Sequence, residues 1–448
     1  CTSGTAVANY HPAVLEASHT NAPLLVLTAD RPAILRKTGA NQTTEQARIY
    51  GKAVRYFADI DGPVFPMELP FDSLRSGPVH LNVQFDEPML PDDSDKWLDE
   101  IVISAKVFEN RAKPSTLKSD SNRGVLVIGH DRGGLSVESV RKFAKELGWP
   151  IIAEDPLSFP DAIAHASIFL TSAQIRAALI PQTAIVIGRT TLSRSINAFL
   201  KLAPTQVVID PRMATVDSDR GADKRFTQLP VLNTHKASPE WLEQWDKYAL
   251  RCAKSIDALT GFTEAVIAKE IAANLPEGST LFVSSSRPIR DLEGFATPRS
   301  GVTTHANRGL AGIDGNISTA LGIALASKQT FAVLGDLSFL HDLTGLIHRE
   351  EINCTFIVIN NDGGGIFSTL PQRGVDGFES VFGTPHGLDP AAIAKAMGIS
   401  ATTISSVDEL KKTLKAPVKG ISIVVANVPS RDENADSLKA IYESMNSI

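Results

Sequence analysis

Cysteine is scarce in this 448-residue sequence: Cys1, Cys252 and Cys354 are the full set. They stand far apart and match no metal-ligand spacing, which argues against a zinc finger or disulfide scaffold and fits a reduced, cytoplasmic setting. Positive charge is not in excess either. Lys+Arg number 44 against Asp+Glu 50, a net charge of −6, so the overall charge gives a nucleic-acid partner no support. No apolar run approaches the length of a membrane span, and the opening residues do not read as a signal peptide. Short-period repeats and low-complexity tracts are missing. His80, His305 and His341 are isolated from other ligand-type residues and read as structural or surface histidines.

What is present is an ordinary globular composition, 43% hydrophobic, in a chain long enough for about three domains. Short apolar runs recur with helical stretches between them, the pattern of α/β doubly wound parallel sheets. The first segment, residues 1–90, holds the strand ending Leu27-Thr-Ala-Asp30 and closes on Val79–Val83. Residues 91–121 shift to Pro, Asp, Ser and Lys and read as a linker, with one amphipathic helix around Trp97–Phe108. A central Rossmann-like domain, 122–250, carries strands predicted at Val125–Ile128, Ile151–Ala153, Ile168–Leu170, Ala184–Ile187 and Val207–Ile209. A polar, Trp-bearing connection is expected from Leu232 to Cys252. The last segment, 251–448, starts with a helix near Phe262–Ala273 and continues through strands at Leu281–Val283, Phe331–Leu334, Phe356–Ile359 and Ile421–Val425.

Two strings in that last segment carry chemistry. Phe331-Ala-Val-Leu-Gly-Asp-Leu-Ser338 is a buried-strand pattern ending on Asp336, and Phe356-Ile-Val-Ile-Asn-Asn-Asp-Gly-Gly-Gly365 is another, with Asn361 just past its end. The interval fits one parallel crossover. Neighbouring strands would bring a carboxylate and an amide oxygen together at the carboxyl edge of the sheet, where α/β folds receive ligands. The glycines that follow allow backbone N–H groups to approach an anion. Hard oxygen ligands beside an anion cradle suit Mg²⁺ on a diphosphate. The competing reading is a helix cap at Asp336 and an ordinary turn at Asn361.

Other candidates divide by context. Gly129-His-Asp-Arg-Gly-Gly134 follows a strand but matches the dinucleotide fingerprint imperfectly, with Asp155 as a candidate ribose acid that precedes Pro156 in a loop. A strand-to-helix turn that needs glycine for packing is the simpler expectation. Arg220-Gly-Ala-Asp-Lys-Arg225 reads as a solvated loop. Arg31, the turn Gly39-Ala-Asn-Gln42, Ser286 with Arg290, and Arg308 all fall at strand ends or helix starts. Arginine forks there would receive carboxylates.

Gly335-Asp336 followed by Asn360-Asn361 resembles the signature of thiamine diphosphate enzymes. Thr2-Ser-Gly-Thr-Ala-Val-Ala-Asn9, Leu27-Thr-Ala-Asp-Arg-Pro32, Gly39-Ala-Asn-Gln42, Ser286…Arg290, Asn307-Arg-Gly…Gly312-Ile-Asp-Gly315 and Asn360-Asn-Asp-Gly-Gly-Gly-Ile-Phe367 narrow the resemblance. They point to the menaquinone-pathway branch, the 2-succinyl-5-enolpyruvyl-6-hydroxy-3-cyclohexene-1-carboxylate synthases. The resemblance implies three domains of the thiamine diphosphate-binding fold: a pyrimidine-binding domain (incomplete here), a central domain and a diphosphate-binding domain. It implies decarboxylation of 2-oxoglutarate and addition of the succinyl unit to isochorismate. It also implies thiamine diphosphate with Mg²⁺ (or Mn²⁺), the metal held by Asp336, Asn361 and the Gly363 carbonyl. Gly335, Leu337, Ser338, Gly364, Ile366 and Phe367 would complete the cofactor contacts. Substrate would be met by Arg31, Asn41, Gln42, Ser286, Arg290 and Arg308. A homodimer or homotetramer is implied, with active sites shared between subunits.

One element of the family pattern has no counterpart. The glutamate that hydrogen-bonds the pyrimidine ring lies upstream of Thr2-Ser-Gly-Thr in the family, and no acid of this sequence can be assigned its role. The chain is therefore expected to be a fragment of a longer enzyme. A related carboligase of the acetolactate synthase type and a non-catalytic truncated paralogue are the alternatives.

Overall fold

The computed structural model describes residues 1–62, 70–87, 115–212, 221–347 and 351–447. The chain forms two compact units, Cys1–Ser115 and Thr116–Ile448. The expected helix at Trp97–Phe108 and residue Arg220 lie outside the described residues.

In the first unit, strands β1 (Leu25–Asp30), β2 (Tyr56–Ile60) and β3 (Val79–Gln84) form a parallel sheet in the order β1-β3-β2. Val7, Val14, Val26, Tyr50 and Ala53 make a small core, fastened where the Tyr50 hydroxyl donates to the Val7 carbonyl at 2.7 Å. The centre of the sheet is polar. Thr28 Oγ1 donates to Asn82 Oδ1 at 2.8 Å and therefore accepts from His80 Nε2, also at 2.8 Å. Asn82 Nδ2 in turn donates to Asp30 and Asp59, which Arg36 bridges. His80 is fully buried, and its Nδ1 has no partner among the described residues.

Burial pushes the His80 pKa down from 6.5 to about 4. The unfolded chain takes up this proton below about pH 6.5, while the folded unit resists until about 4, so the contribution is lost as pH falls through that window. Replacing His80 with Gln is expected to flatten the fall of the unfolding midpoint between those pH values. An unchanged slope would contradict the assignment.

The second unit holds three sheets. β4 (Thr116–Ser119) pairs in parallel with β10 (Val231–Thr234). A five-stranded parallel sheet in the order β6-β5-β7-β8-β9 uses β5 (Gly124–Ile128), β6 (Ile151–Ala153), β7 (Thr183–Ile187), β8 (Thr205–Ile209) and β9 (Lys224–Phe226). A six-stranded parallel sheet runs β12-β11-β13-β14-β16-β15. Its members are β11 (Ser279–Val283), β12 (Val302–His305), β13 (Thr330–Gly335), β14 (Cys354–Asn360), β15 (Ser400–Ile404) and β16 (Ile421–Asn427). β5, β7, β11 and β14 are buried almost throughout, which is why they appear in the sequence as unbroken apolar runs. The doubly wound α/β class is as expected.

Four expectations change. Ile168–Leu170 is not a strand. Ala166–Phe169 is a short helix, buried on all sides against Phe199, Trp245 and Phe295 in one core, and an apolar run of that length does not distinguish the two forms. The stretch from Leu232 to Cys252 is not a connection either. After β10, Ser238 caps a 19-residue helix, Pro239–Asp257, whose Trp241 and Trp245 are buried, the Trp241 indole donating to the Gly124 carbonyl at 2.8 Å. Finally, Thr116–Ser119, inside the range read as linker, is strand β4, and Lys224 and Arg225 of the expected charged loop belong to strand β9.

The turn after β5 is glycine-rich for packing. A Cβ at Gly129 would overlap the Arg189 carbonyl, and one at Gly188 the Asp131 carbonyl. Between these close approaches, Asp131 and Arg189 pair as a short antiparallel bridge, and the Asp131 carboxylate takes both Arg189 and Arg212. The crevice between β5 and β7 is thus filled by the chain itself, not shaped for a dinucleotide.

Candidate active site

β13 and β14 are paired neighbours, with Gly335 opposite Ile359. Their carboxyl ends bring the two strings together. Asp336 opens a short helix, Asp336–His341. Its Oδ1 accepts the Leu337 N–H at 2.6 Å, and its Oδ2 accepts from the Asn361 and Gly363 N–H groups at 3.2 and 2.9 Å. Asn361 follows β14, and its Nδ2 donates to Glu264 Oε1 at 2.5 Å, which leaves Oδ1 buried and without a partner among the described residues. The Gly363 carbonyl accepts from Gly365 N at 3.0 Å and keeps its second lone pair.

The loop between these groups has an uncommon backbone. Asp362 sits at φ 61° and Gly363 at φ 134°. Asp362 is held there because its carboxylate accepts the His386 and Gly387 N–H groups, and its carbonyl accepts from Arg431. Arg431 also donates to the Gly383 carbonyl and pairs with Glu379. The strain is carried by this clamp, a pattern found where backbone geometry serves a site.

A cavity of about 190 Å³ opens beside these residues. Ser286, Gly335, Asp336, Leu337, Ser338, Asn361, Gly363, Gly364, Ile366 and Phe367 all line it, so the expected cofactor contacts converge on one space. Ser338 ties a further motif to the wall: its hydroxyl donates to the Ile313 carbonyl at 3.0 Å and accepts from Asn316 Nδ2 at 2.8 Å. Burial pushes the Asp336 carboxyl above its usual range, opposed by the N–H groups of Gly363 and Leu337 and by His386. A cation beside it would favour the charged form.

The donor set suits a hard divalent ion, with one carboxylate, one amide oxygen that has no partner among the described residues and one carbonyl, whereas the N–H groups of residues 361–365, expected to approach an anion, are already donated to Asp336, Asn360, Gly383 and Gly363. No cluster of three His, Cys, Asp or Glu side chains able to hold a metal occurs among the described residues. A site built from mixed oxygens, its remaining positions filled by diphosphate and water, does not need one.

The substrate candidates fall in both units. In the first, Arg31 directly follows β1, with its N–H donating to Asp30, and Gln42 lies against the start of the chain, its Nε2 3.3 Å from both Thr2 Oγ1 and the Ser3 carbonyl. Asn41 is exposed beside it. In the second, Ser286 begins the helix Arg287–Phe295 at φ 73°, a strained value for serine. Arg290 Nη1 donates to the Ser286 carbonyl at 2.7 Å and makes no ion pair among the described residues. Burial, and then Arg287, hold its pKa below the ordinary value. Arg308 is buried, with Nε and Nη2 on Thr191 Oγ1 and Nη1 3.4 Å from Ser285 Oγ.

Several site residues escaped the sequence reading. Glu264 lines the cavity and holds Asn361. His386 places Nε2 3.3 Å from Asp336 Oδ2 while its Nδ1 accepts the Leu388 N–H. Arg287 is consumed by Asp291 and Glu264. Glu154, at the end of β6, accepts N–H groups from His130, Thr191 and Leu192. Glu293 is buried, its Oε1 has no partner among the described residues, and burial together with Glu154 pushes its carboxyl well above the usual range. A glutamate in a first helical turn looks like ordinary dipole complementation, so nothing local marked Glu264.

Comparison with known proteins agrees with this geometry. The middle domain of thiamine pyrophosphate enzymes matches residues 91–283, and the C-terminal thiamine pyrophosphate-binding domain matches residues 291–428. A 2-succinyl-5-enolpyruvyl-6-hydroxy-3-cyclohexene-1-carboxylate synthase from Thermobifida fusca is 38% identical over 92% of this chain and 81% of its own length. The chain belongs to that synthase family. Synthases of the same name from Nocardioides sp. and Lysinibacillus sphaericus are 37% and 33% identical, over 97% and 100% of this chain and 83% and 86% of theirs. Asp336, Asn361 and Gly363 all lie inside the matched C-terminal domain.

Proposed function

We propose that this chain acts as a thiamine diphosphate- and Mg²⁺-dependent synthase that removes CO₂ from 2-oxoglutarate and adds the remaining succinyl unit to isochorismate. The observation that carries the reading is the meeting of Asp336, the unpartnered Asn361 Oδ1 and the Gly363 carbonyl at one cavity, in a chain of this family. When bound, thiamine diphosphate supplies the electron sink that decarboxylation and carbon–carbon bond formation need.

The chain's own residues would bind and orient. Asp336, Asn361 and Gly363 would hold Mg²⁺ (or Mn²⁺) against the diphosphate, while Gly335, Leu337, Ser338, Gly364, Ile366 and Phe367 shape the space around the cofactor. Both substrates are dicarboxylates, which accounts for arginine and amide side chains, not acids, among the substrate candidates. Arg290, a half-buried cation with no ion pair among the described residues, is suited to receive one carboxylate. Ser286 and Arg308 would complete that wall, and Arg31, Asn41 and Gln42 would serve from the first unit. Cytoplasmic location and self-association as a homodimer or homotetramer belong to the same reading; no described helix is long and apolar enough to cross a membrane.

Product analysis of the purified protein tests it. Incubation with 2-oxoglutarate, isochorismate, thiamine diphosphate and Mg²⁺ should release CO₂ and give the adduct, whereas pyruvate alone should yield little. Turnover of pyruvate to acetolactate without consumption of 2-oxoglutarate would replace the proposal with the acetolactate synthase alternative.

A further inference from the structure

An asparagine can serve a cation only through its amide oxygen, and the two ends of the amide are nearly the same size. Something must decide which end faces the cavity. In this structure Asn361 Nδ2 is 2.5 Å from Glu264 Oε1. An ionised carboxylate accepts hydrogen bonds and cannot donate them, so it takes the NH₂ end and turns the oxygen away from itself. That oxygen is buried and has no partner among the described residues.

Glu264 is itself fixed from three sides. It opens the helix Glu264–Asn274, which Thr263 caps, and its backbone N–H donates to Asn434 Oδ1 at 3.0 Å. Its second carboxylate oxygen lies 3.5 Å from Arg287 Nε, and Arg287 also pairs with Asp291. The space around the contact is guarded too. A Cβ at Gly365 would overlap Asn361 Nδ2 and reach 3.5 Å from Glu264 Oε1, although Gly365 has no positive φ that calls for glycine.

We propose that Glu264 is a positioning residue that sets the amide orientation of Asn361, and that Gly365 keeps room for their contact. The inference rests on the proposed metal role of Asn361. It assigns to Glu264 no contact with substrate and no proton transfer.

The test is the affinity of the purified protein for Mn²⁺ and thiamine diphosphate, read by calorimetry and by the Mn²⁺ resonance signal, with thermal melting to confirm folding. Glu264→Leu should weaken Mn²⁺-dependent binding about 10-fold or more, the scale of losing an outer partner of a metal ligand. Asn361→Asp should also bind poorly, although aspartate is a good ligand, because it sets a carboxylate against Glu264. Adding Glu264→Gln to Asn361→Asp should restore binding to within about threefold of the parent, since the glutamine amide donates where the asparagine amide did. Gly365→Ala should weaken binding without touching either partner chemically. Parent-like binding by Glu264→Leu, or failure of the exchanged pair to recover over Asn361→Asp, would overturn the inference. Asp336→Ala separates the two levels. If it binds normally, the metal site itself is wrong; if it loses binding while the exchange fails, only the role of Glu264 falls.

Discussion

Replacing Asp336 with alanine is expected to abolish Mg²⁺-dependent binding of thiamine diphosphate, a loss of at least about 100-fold, beyond what removal of an outer partner costs. Asp336 is the only carboxylate in the proposed metal set, and it also organises the loop. Its two oxygens accept three backbone N–H groups, from Leu337, Asn361 and Gly363. Alanine would leave those donors unsatisfied at about 1–3 kcal/mol each where burial is complete, so melting temperature should fall as well. Asp336→Asn distinguishes the two effects. It keeps the shape and one acceptor oxygen, and should recover much of the stability while remaining a weak binder. If Asp336→Ala bound cofactor as tightly as the parent in a calorimetric titration, the proposed metal site would be wrong.

The second large effect is expected at Arg290. Its guanidinium is held by the Ser286 carbonyl but by no carboxylate among the described residues, and burial works against its charge. An arriving dicarboxylate would relieve that cost. Arg290→Ala should lose about 2–4 kcal/mol of transition-state binding, as for other buried charge-assisted contacts, or roughly 30- to 1,000-fold in kcat/KM. Arg290→Lys should recover only part, because ammonium lacks the planar fork. Cofactor affinity should stay near that of the parent, because Arg290 is not among the residues lining the cofactor cavity. A variant with unchanged kcat/KM for 2-oxoglutarate would remove Arg290 from the substrate wall.

How much of this was legible varied with the range of the interactions. Gly335-Asp336 and Asn360-Asn361 could be read because each ends a buried strand, and one crossover joins them. The same logic failed for Ile168–Leu170, where three apolar residues carry no period and tertiary burial decided for helix. It failed again for Pro239–Asp257, whose charged residues hid the spacing of Trp241 and Trp245 on one buried face. Arg287 and Arg290 sit three residues apart in identical local chemistry. Only folding shows that the first is neutralised by Asp291 and Glu264 while the second makes no ion pair among the described residues. Glu264 lies 97 positions before Asn361, and His386 meets Asp336 from a later loop. Neither approach leaves a trace in local pattern.

The path from Glu154 through Thr191 to Arg308 has a consequence for anyone wishing to alter this enzyme. Glu154 grips the Thr191 and Leu192 N–H groups from the end of β6, and Thr191 grips the guanidinium of Arg308. A sheet whose ligand crevice is plugged by its own side chains has become a brace for a residue that belongs to another sheet. Directed-evolution libraries confined to the cofactor cavity would miss this handle. Substitutions in the 188–192 turn, none of whose residues lines that cavity, would change how Arg308 is held.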